Sequence, residues 1–198
     1  MRLFVGTVLS AGNQSYYRQL AEDLGVRFRG TARALPAGSM HVTLAFMPQV
    51  ERTQIDRLAS CLKTVASRFE VCHVRFEVPS VLWAGRVPRL VEAPVSTGAA
   101  EVMRLVQTIA RELHQAVPGL ELRPARSAHA TLARLRRGAS AQDGRAIDAA
   151  IEGMVRDDMF DRIALIASEL LPAGPSYTTL EQFPLGRDDL RDRTRQRL

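Results

Sequence analysis

The stretch His41-Val42-Thr43-Leu44-Ala45 returns 88 residues later as His129-Ala130-Thr131-Leu132-Ala133. Four of the five positions are identical, although the chain has only four histidines. Both copies lie in runs of β-branched and apolar residues, a composition that favours β-strands. A repeat of this kind predicts a chain that is built from two equivalent structural halves.

Helix-like and strand-like segments surround the two copies without a strict strand–helix–strand rhythm. This order favours an α+β fold with largely antiparallel sheets, in one compact unit of two lobes. Apolar residues at spacings of three and four predict helices, and dense or alternating apolar runs predict strands. The predicted helices are Asn13–Leu24 closed by Gly25, residues 52–69, Thr97–Gln115 and Gln142–Val155. The predicted strands are residues 2–9, a short strand within 26–39, Met40–Met47, Val71–Pro79, one strand between Val81 and Val91, Ala128–Leu135, Phe160–Leu171 and Tyr177–Leu185.

Strand geometry gives the repeated pentapeptide its chemistry. Side chains two residues apart project from the same face, so each histidine shares a face with the threonine that follows it. A neutral imidazole can act as a base and an imidazolium as an acid, while threonine hydroxyls donate to phosphoryl oxygens. Two such strands side by side would place two imidazoles and two hydroxyls around one point. This arrangement is suited to in-line displacement at phosphorus, which needs one group to activate the nucleophile and another to protonate the leaving oxygen. We expect His41 and His129 to be catalytic and Thr43 and Thr131 to bind the substrate.

The composition suits an anionic partner, with nucleic acid first, and it equally fits a genome-wide compositional bias that places arginines on a solvated surface. The chain carries 27 basic and 21 acidic residues, a net charge of +6, and Lys63 is its single lysine. The guanidinium of arginine presents a fork of donors that matches phosphate oxygens. Cys61 and Cys72 are too few for a disulfide scaffold, and no apolar run reaches the roughly 18 residues that span a bilayer. We therefore expect a cytoplasmic protein without membrane contact, and a monomer.

Other kinds of site are not indicated by the sequence. The two motif histidines lack a third ligand at the spacings usual for zinc, so we expect no metal and no other cofactor. The glycine-rich phosphate loop and the nucleophile-elbow motif are absent. His73 and His114 are predicted to be structural. The alternation of Arg and Asp from Arg187 to Leu198 predicts a solvated helix or a frayed end.

The two pentapeptides resemble the paired His-x-Thr motifs of the two-histidine (2H) phosphoesterase superfamily. Within it the chain is similar to the bacterial RNA 2',3'-cyclic phosphodiesterases, historically called 2'-5' RNA ligases. Met40–Phe46 resembles the Leu-His-x-Thr-Leu-Ala-Phe signature, and His129–Arg134 resembles the His-x-Thr-Leu-Ala-Arg signature. Arg2–Val5 resembles the first strand of the family, and Ser168–Leu180 resembles its last hairpin.

This resemblance implies two pseudo-symmetric α+β lobes within one domain of residues 1–198, with sheets lining a central cleft and helices outside. It implies metal-independent opening of a terminal RNA 2',3'-cyclic phosphate to a 2'-phosphate. It also implies that His41 protonates the leaving 3'-oxygen, that His129 activates water, and that Arg134 and Phe46 contact the substrate. By strand alternation both of these last residues are out of step with the histidines. Arg134 therefore needs a bulge or a strand end, and Phe46 could instead lie in the core.

Three other functions fit the same residues. The site could run in reverse as a 2'-5' RNA ligase, although water at high concentration favours hydrolysis. It could take a small cyclic nucleotide, or the chain could be a non-catalytic basic RNA-binding module, which would not need both histidines. The chain departs from the usual family residues at Met47-Pro48, Ala125 and Ala128, which bear on the shape of the cleft entrance and not on a catalytic group.

Overall fold

A computed structural model describes residues 1–35, 40–171 and 174–186. Within these residues the chain forms a nine-stranded antiparallel sheet, a two-stranded sheet and four α-helices. The elements of the first half are β1 (Leu3–Val8), α1 (Ala11–Arg27), β2 (Ala32–Ala34), β3 (His41–Met47), a 3-10 turn (Arg52–Gln54), α2 (Ile55–Ala66), β4 (Cys72–Phe76) and β5 (Ser80–Ala84). Those of the second half are β6 (Val87–Pro94), α3 (Ala99–Ala116), β7 (Arg123–Pro124), β8 (His129–Leu135), α4 (Ala141–Ala149), β9 (Arg156–Phe160), β10 (Arg162–Leu171) and β11 (Gly174–Pro184).

The two halves repeat one order of elements, strand–helix–strand–strand–helix–strand–strand, and β11 follows the second copy. The large sheet has the order β11-β10-β1-β3-β8-β6-β5, with β2 added to β8 and β7 added to β3. The last strand of each half pairs with the first strand of the other, β5 with β6 and β10 with β1. The equivalent strands β4 and β9 pair with each other. The predicted α+β fold with two antiparallel halves is confirmed.

The helices pack on one face of the large sheet, and two of them contact strands from both halves of the chain. Helix α1 contacts β2 of the first half and β8 of the second, and α3 contacts β7 of the second half and β3 of the first. The apolar stripe of α3 is buried, and so are Val42, Leu44 and Leu132 of the motif strands. Burial of each such side chain stabilises the fold by about 1.5–3 kcal/mol. The other face of the motif strands, which carries their polar side chains, is therefore available for a site. No described helix is long and apolar enough to cross a membrane.

Four of the predicted elements have the wrong bounds or the wrong number of strands. The single strand expected between Val81 and Val91 is the hairpin β5–β6, which turns at Gly85 with φ of 62°. A positive φ suits glycine because it has no Cβ. Helix α1 continues past Gly25. Helix α4 stops at Ala149, since Ile147 is its last buried apolar residue and the chain beyond supplies β9.

The strand predicted over Phe160–Leu171 is β10 (Arg162–Leu171), except that its first residue, Phe160, is the last residue of β9 in the small sheet. Strand β9 pairs with β4, and β10 joins the large sheet. The predicted tail from Arg187 to Leu198 lies outside the described residues.

Candidate active site

The two repeated pentapeptides lie on neighbouring antiparallel strands, β3 and β8. Val42 and Ala130, which stand between the histidine and the threonine of each copy, are direct partners, and both are fully buried. Side chains alternate along an antiparallel pair, so each histidine lies beside the threonine of the other strand. These four side chains project from the face of the sheet opposite to that of Val42 and Ala130. We call the four side chains the His–Thr square: His41, Thr43, His129 and Thr131. All four are partly exposed.

A β-bulge occurs at the same point of both motifs. The residues on either side of Leu44 pair with two consecutive residues of β1, so Leu44 is the extra residue of β3. The residues on either side of Leu132 pair with two consecutive residues of β6, so Leu132 is the extra residue of β8. Both leucines are fully buried. A bulge shifts the alternation by one residue, so the side chains beyond it change faces.

The bulges bring Phe46 and Arg134 to the face of the histidines. Each follows its motif histidine by five residues, a spacing that regular alternation would send to the core. Arg134 is instead exposed. Phe46 is half-buried, and the guanidinium carbon of Arg2 lies 5.2 Å from the centre of its ring. The bulge that Arg134 needs is therefore present, and Phe46 packs at the edge of a small apolar cluster that includes Phe4 and Ile166.

Two aromatic rings surround His41. Phe4 of β1 stacks on the imidazole with 4.5 Å between ring centroids, and Tyr177 of β11 meets it edge-on at 5.4 Å. The Nε2 atom of His41 lies 3.1 Å from Thr43 Oγ1, within hydrogen-bonding distance. Of the two rings, Phe4 presents its face to the imidazole, the side of an aromatic ring that attracts a cation. Sequence reasoning included Phe4 and Tyr177 in the matching segments but did not single them out.

A carboxylate and a hydroxyl lie beside His129. Its Nδ1 atom is 3.2 Å from Ser127 Oγ and 3.6 Å from Glu92 Oε2. The Glu92 side chain is only 12% exposed, and its Oε2 atom has no hydrogen-bond partner among the described residues. Burial raises the pKa of Glu92, and the positive charge of His129 opposes that rise. Sequence reasoning missed Glu92, although a lone carboxylate within Leu90–Ala93 is unusual for a buried strand.

Replacement of Glu92 by glutamine is expected to stabilise the folded protein at pH 8. Because burial raises the folded pKa of Glu92 above its unfolded value, the folded state loses stability as the pH rises from about 4.3 through the folded pKa. Glu92→Gln should raise the free energy of unfolding at pH 8 by about 1 kcal/mol, and the gain should vanish towards pH 4. Urea unfolding at both pH values measures this. A variant less stable than wild type at pH 8 would show that the hydrogen bonding of the carboxylate outweighs the cost of burying its charge.

A basic groove runs from the second motif strand. It has a volume of about 510 Å³ and contains four arginines, Arg29, Arg33, Arg134 and Arg136. Arg33 of β2 is the direct cross-strand partner of Arg134. The guanidinium groups offer donors that match phosphate oxygens, and the rest of the lining is mostly apolar.

The other histidines lie away from the motif strands. His73 is exposed on β4, and the ring nitrogen Nδ1 of His114 donates to the carbonyl oxygen of Ala110, 2.9 Å away, in α3. Across the described ranges, no group of three or more His, Cys, Asp and Glu side chains is arranged to hold a metal ion.

The chain was compared with family models, curated proteins and solved structures. No protein-family model matches the chain. The chain is 22% identical over 192 residues to the RNA 2',3'-cyclic phosphodiesterase of Aquifex aeolicus (strain VF5), covering 94% of this chain and 98% of that protein. The crystal structure of TT0787 of Thermus thermophilus matches with a TM-score of 0.73 and 23% identity, over 95% of this chain and 100% of that one. That of E. coli LigT complexed with 3'-AMP matches with a TM-score of 0.61 and 19% identity, over 93% and 96%.

These matches confirm the resemblance predicted from the sequence, and the solved structures confirm the fold. They extend over nearly the whole chain, so the likeness is not limited to the repeated pentapeptides. They also support the prediction that the chain is an enzyme.

Proposed function

We propose that this chain hydrolyses the 2',3'-cyclic phosphate at the end of RNA to a 2'-phosphate, with His41 and His129 as its acid–base pair and without a metal ion. The observation that carries the proposal is the register of β3 and β8, which groups the His–Thr square on one polar face. The name of the Aquifex relative supports hydrolysis of an RNA cyclic phosphate, and the complex of LigT with 3'-AMP supports binding of a ribonucleotide phosphate.

The reaction is a displacement at phosphorus that consumes one water. The water oxygen bonds to phosphorus as the bond from phosphorus to the 3'-oxygen breaks, and the 2'-oxygen keeps the phosphate. One imidazole takes a proton from the water, and the other, as imidazolium, gives a proton to the 3'-oxygen. Thr43 and Thr131 donate hydrogen bonds to the non-bridging oxygens, and Arg134 offsets the negative charge that develops on them.

Two observations support the assignment of His41 as the acid and His129 as the base. The ring of Phe4 stacks face-on against His41, and an aromatic face can accommodate a cationic ring. Glu92 and Ser127 offer partners to Nδ1 of His129, and occupation of Nδ1 leaves Nε2 for a water molecule. The two groups then face opposite apical oxygens of the phosphorus.

An RNA end fits the molecule better than a free cyclic nucleotide. The basic groove continues from Arg134 along β2 and the segment before it, so its arginines can contact phosphates that precede the terminal one. A free nucleotide has no such phosphates. This groove is the feature that favours RNA over the small cyclic nucleotide considered from the sequence alone.

Incubation with a short oligoribonucleotide that ends in a 2',3'-cyclic phosphate tests the proposal. We expect the cyclic phosphate to be replaced by a 2'-monoester, followed by ³¹P NMR, and we expect the rate to be unchanged in excess EDTA. The imidazolium, hydroxyl and guanidinium groups provide the charge stabilisation that a metal would otherwise supply.

Each part of the proposal has its own contrary result. A 3'-phosphate product would overturn the direction of ring opening. Loss of activity on chelation, with recovery on addition of one divalent ion, would overturn metal independence. A joined product in the presence of a 5'-hydroxyl oligonucleotide, formed in place of the monoester, would identify a ligase.

A further inference from the structure

The two halves of the chain differ beside their histidines. Strands β1 and β6 are equivalent, and at the position that pairs with the motif threonine β1 has Gly6 whereas β6 has Glu92. A Cβ atom on Gly6 would lie 3.0 Å from the carbonyl oxygen of Val42 and 3.4 Å from His41 Cδ2. A side chain at this position would require the neighbouring backbone to move by a few tenths of an ångström. The two halves therefore differ here, since β6 carries a carboxylate beside its motif histidine and β1 carries no side chain.

The position of the Glu92 carboxylate is costly unless it binds His129. Its Oε2 atom is buried without a hydrogen bond to any described residue, and such an acceptor costs about 1–3 kcal/mol when it stays unpaired. The ring nitrogen Nδ1 of His129 is 3.6 Å away, just beyond hydrogen-bonding distance. A small rotation of the half-buried ring closes this gap, and hydrogen bonds in catalytic sites often shorten when the substrate binds.

We propose that Glu92 is a positioning residue, which accepts a hydrogen bond from Nδ1–H of His129 and so holds the neutral ring with the Nε2 lone pair towards the cleft. The catalytic consequence rests on the proposed function, because that lone pair is what takes the proton of water. The choice of tautomer does not rest on it.

Ser127 does not select one tautomer of His129. Its hydroxyl lies 3.2 Å from Nδ1 of His129 but can either donate or accept a hydrogen bond, so it satisfies both tautomers. An ionised carboxylate can only accept, so it requires a proton on Nδ1. Glu92 is therefore the group that discriminates between the tautomers.

The test compares wild type with Glu92→Met, which keeps an unbranched side chain but removes the acceptor, and with Glu92→Gln, whose amide can donate or accept. The ¹⁵N chemical shifts of the His129 ring are read without substrate at pH 8.5, where an ordinary histidine is neutral. We expect a predominantly Nδ1–H ring in wild type and a large Nε2–H population in both variants. On the cyclic-phosphate oligonucleotide, we expect kcat to fall about 10-fold or more, with KM changed less than about 2-fold.

Glu22→Gln is the matched control, since Glu22 is exposed on α1 and only weakly paired with Arg18 at 4.0 Å. It should leave both readouts unchanged. Unchanged ring shifts in Glu92→Met and Glu92→Gln, or a tautomer change in Ser127→Ala alone, would overturn the proposal. If the shifts change as expected but wild type does not hydrolyse the oligonucleotide, the positioning role stands and the proposed function fails.

Discussion

Replacing His41 or His129 by alanine is expected to lower kcat on a cyclic-phosphate oligonucleotide by at least about 10²-fold, the usual contribution of acid–base catalysis. Each variant loses one of the two proton transfers. The double variant should lose much less than the product of the single losses, because the two groups act as a unit in one displacement. Single-turnover rates, measured with enzyme in excess, report the chemical step directly.

His73→Ala is the matched control for these variants. His73 is exposed on β4, a strand of the small sheet, so its loss should leave the rate within about 2-fold of wild type. Near-normal activity in either motif variant would show that the His–Thr square is not the catalytic site.

A cyclic substrate in which sulfur replaces the 3'-bridging oxygen is expected to rescue His41→Ala far more than His129→Ala. A thiolate leaves without protonation, so the acid becomes dispensable, whereas water still needs its base. The rescue of His41→Ala should approach the roughly 10²-fold that the alanine variant loses. The measurement is the ratio of the two substrates' rates in each variant.

The opposite pattern would reverse the roles of the histidines. Rescue of His129→Ala alone would make His129 the acid, even though Glu92 and Ser127 are placed to orient it as a base. Equal rescue of both variants would mean that protonation of the leaving group is not assigned to one histidine.

Much of the fold could be predicted from the pentapeptide repeat, because the features it indicates depend on residues close together in the sequence. Alternation of apolar and polar residues is set within a few positions, so the burial of Val42 and Leu132 and the pairing of two similar strands follow from it. The division into β5 and β6 did not follow, because Gly85-Arg86 is a weaker turn signal than the apolar residues on either side.

The environment of the candidate site depended on contacts between distant segments. The bulges at Leu44 and Leu132 exist because two other strands pair across them, and a single strand's sequence does not display its register. Phe4 reaches His41 from a neighbouring strand. Glu92 also approaches His129 from a neighbouring strand, β6. The repeat does not predict this carboxylate, because the equivalent position of β1 is Gly6.

The most direct measurement of the central claim places wild type and the His41→Ala/His129→Ala double variant side by side on one fluorescent oligoribonucleotide with a 2',3'-cyclic phosphate end. Binding is read by fluorescence anisotropy and hydrolysis by conversion to the 2'-phosphate. We predict a Kd within a few-fold of wild type, because the arginines of the basic groove remain, together with loss of turnover to below about one hundredth. Turnover retained by the double variant would contradict the account.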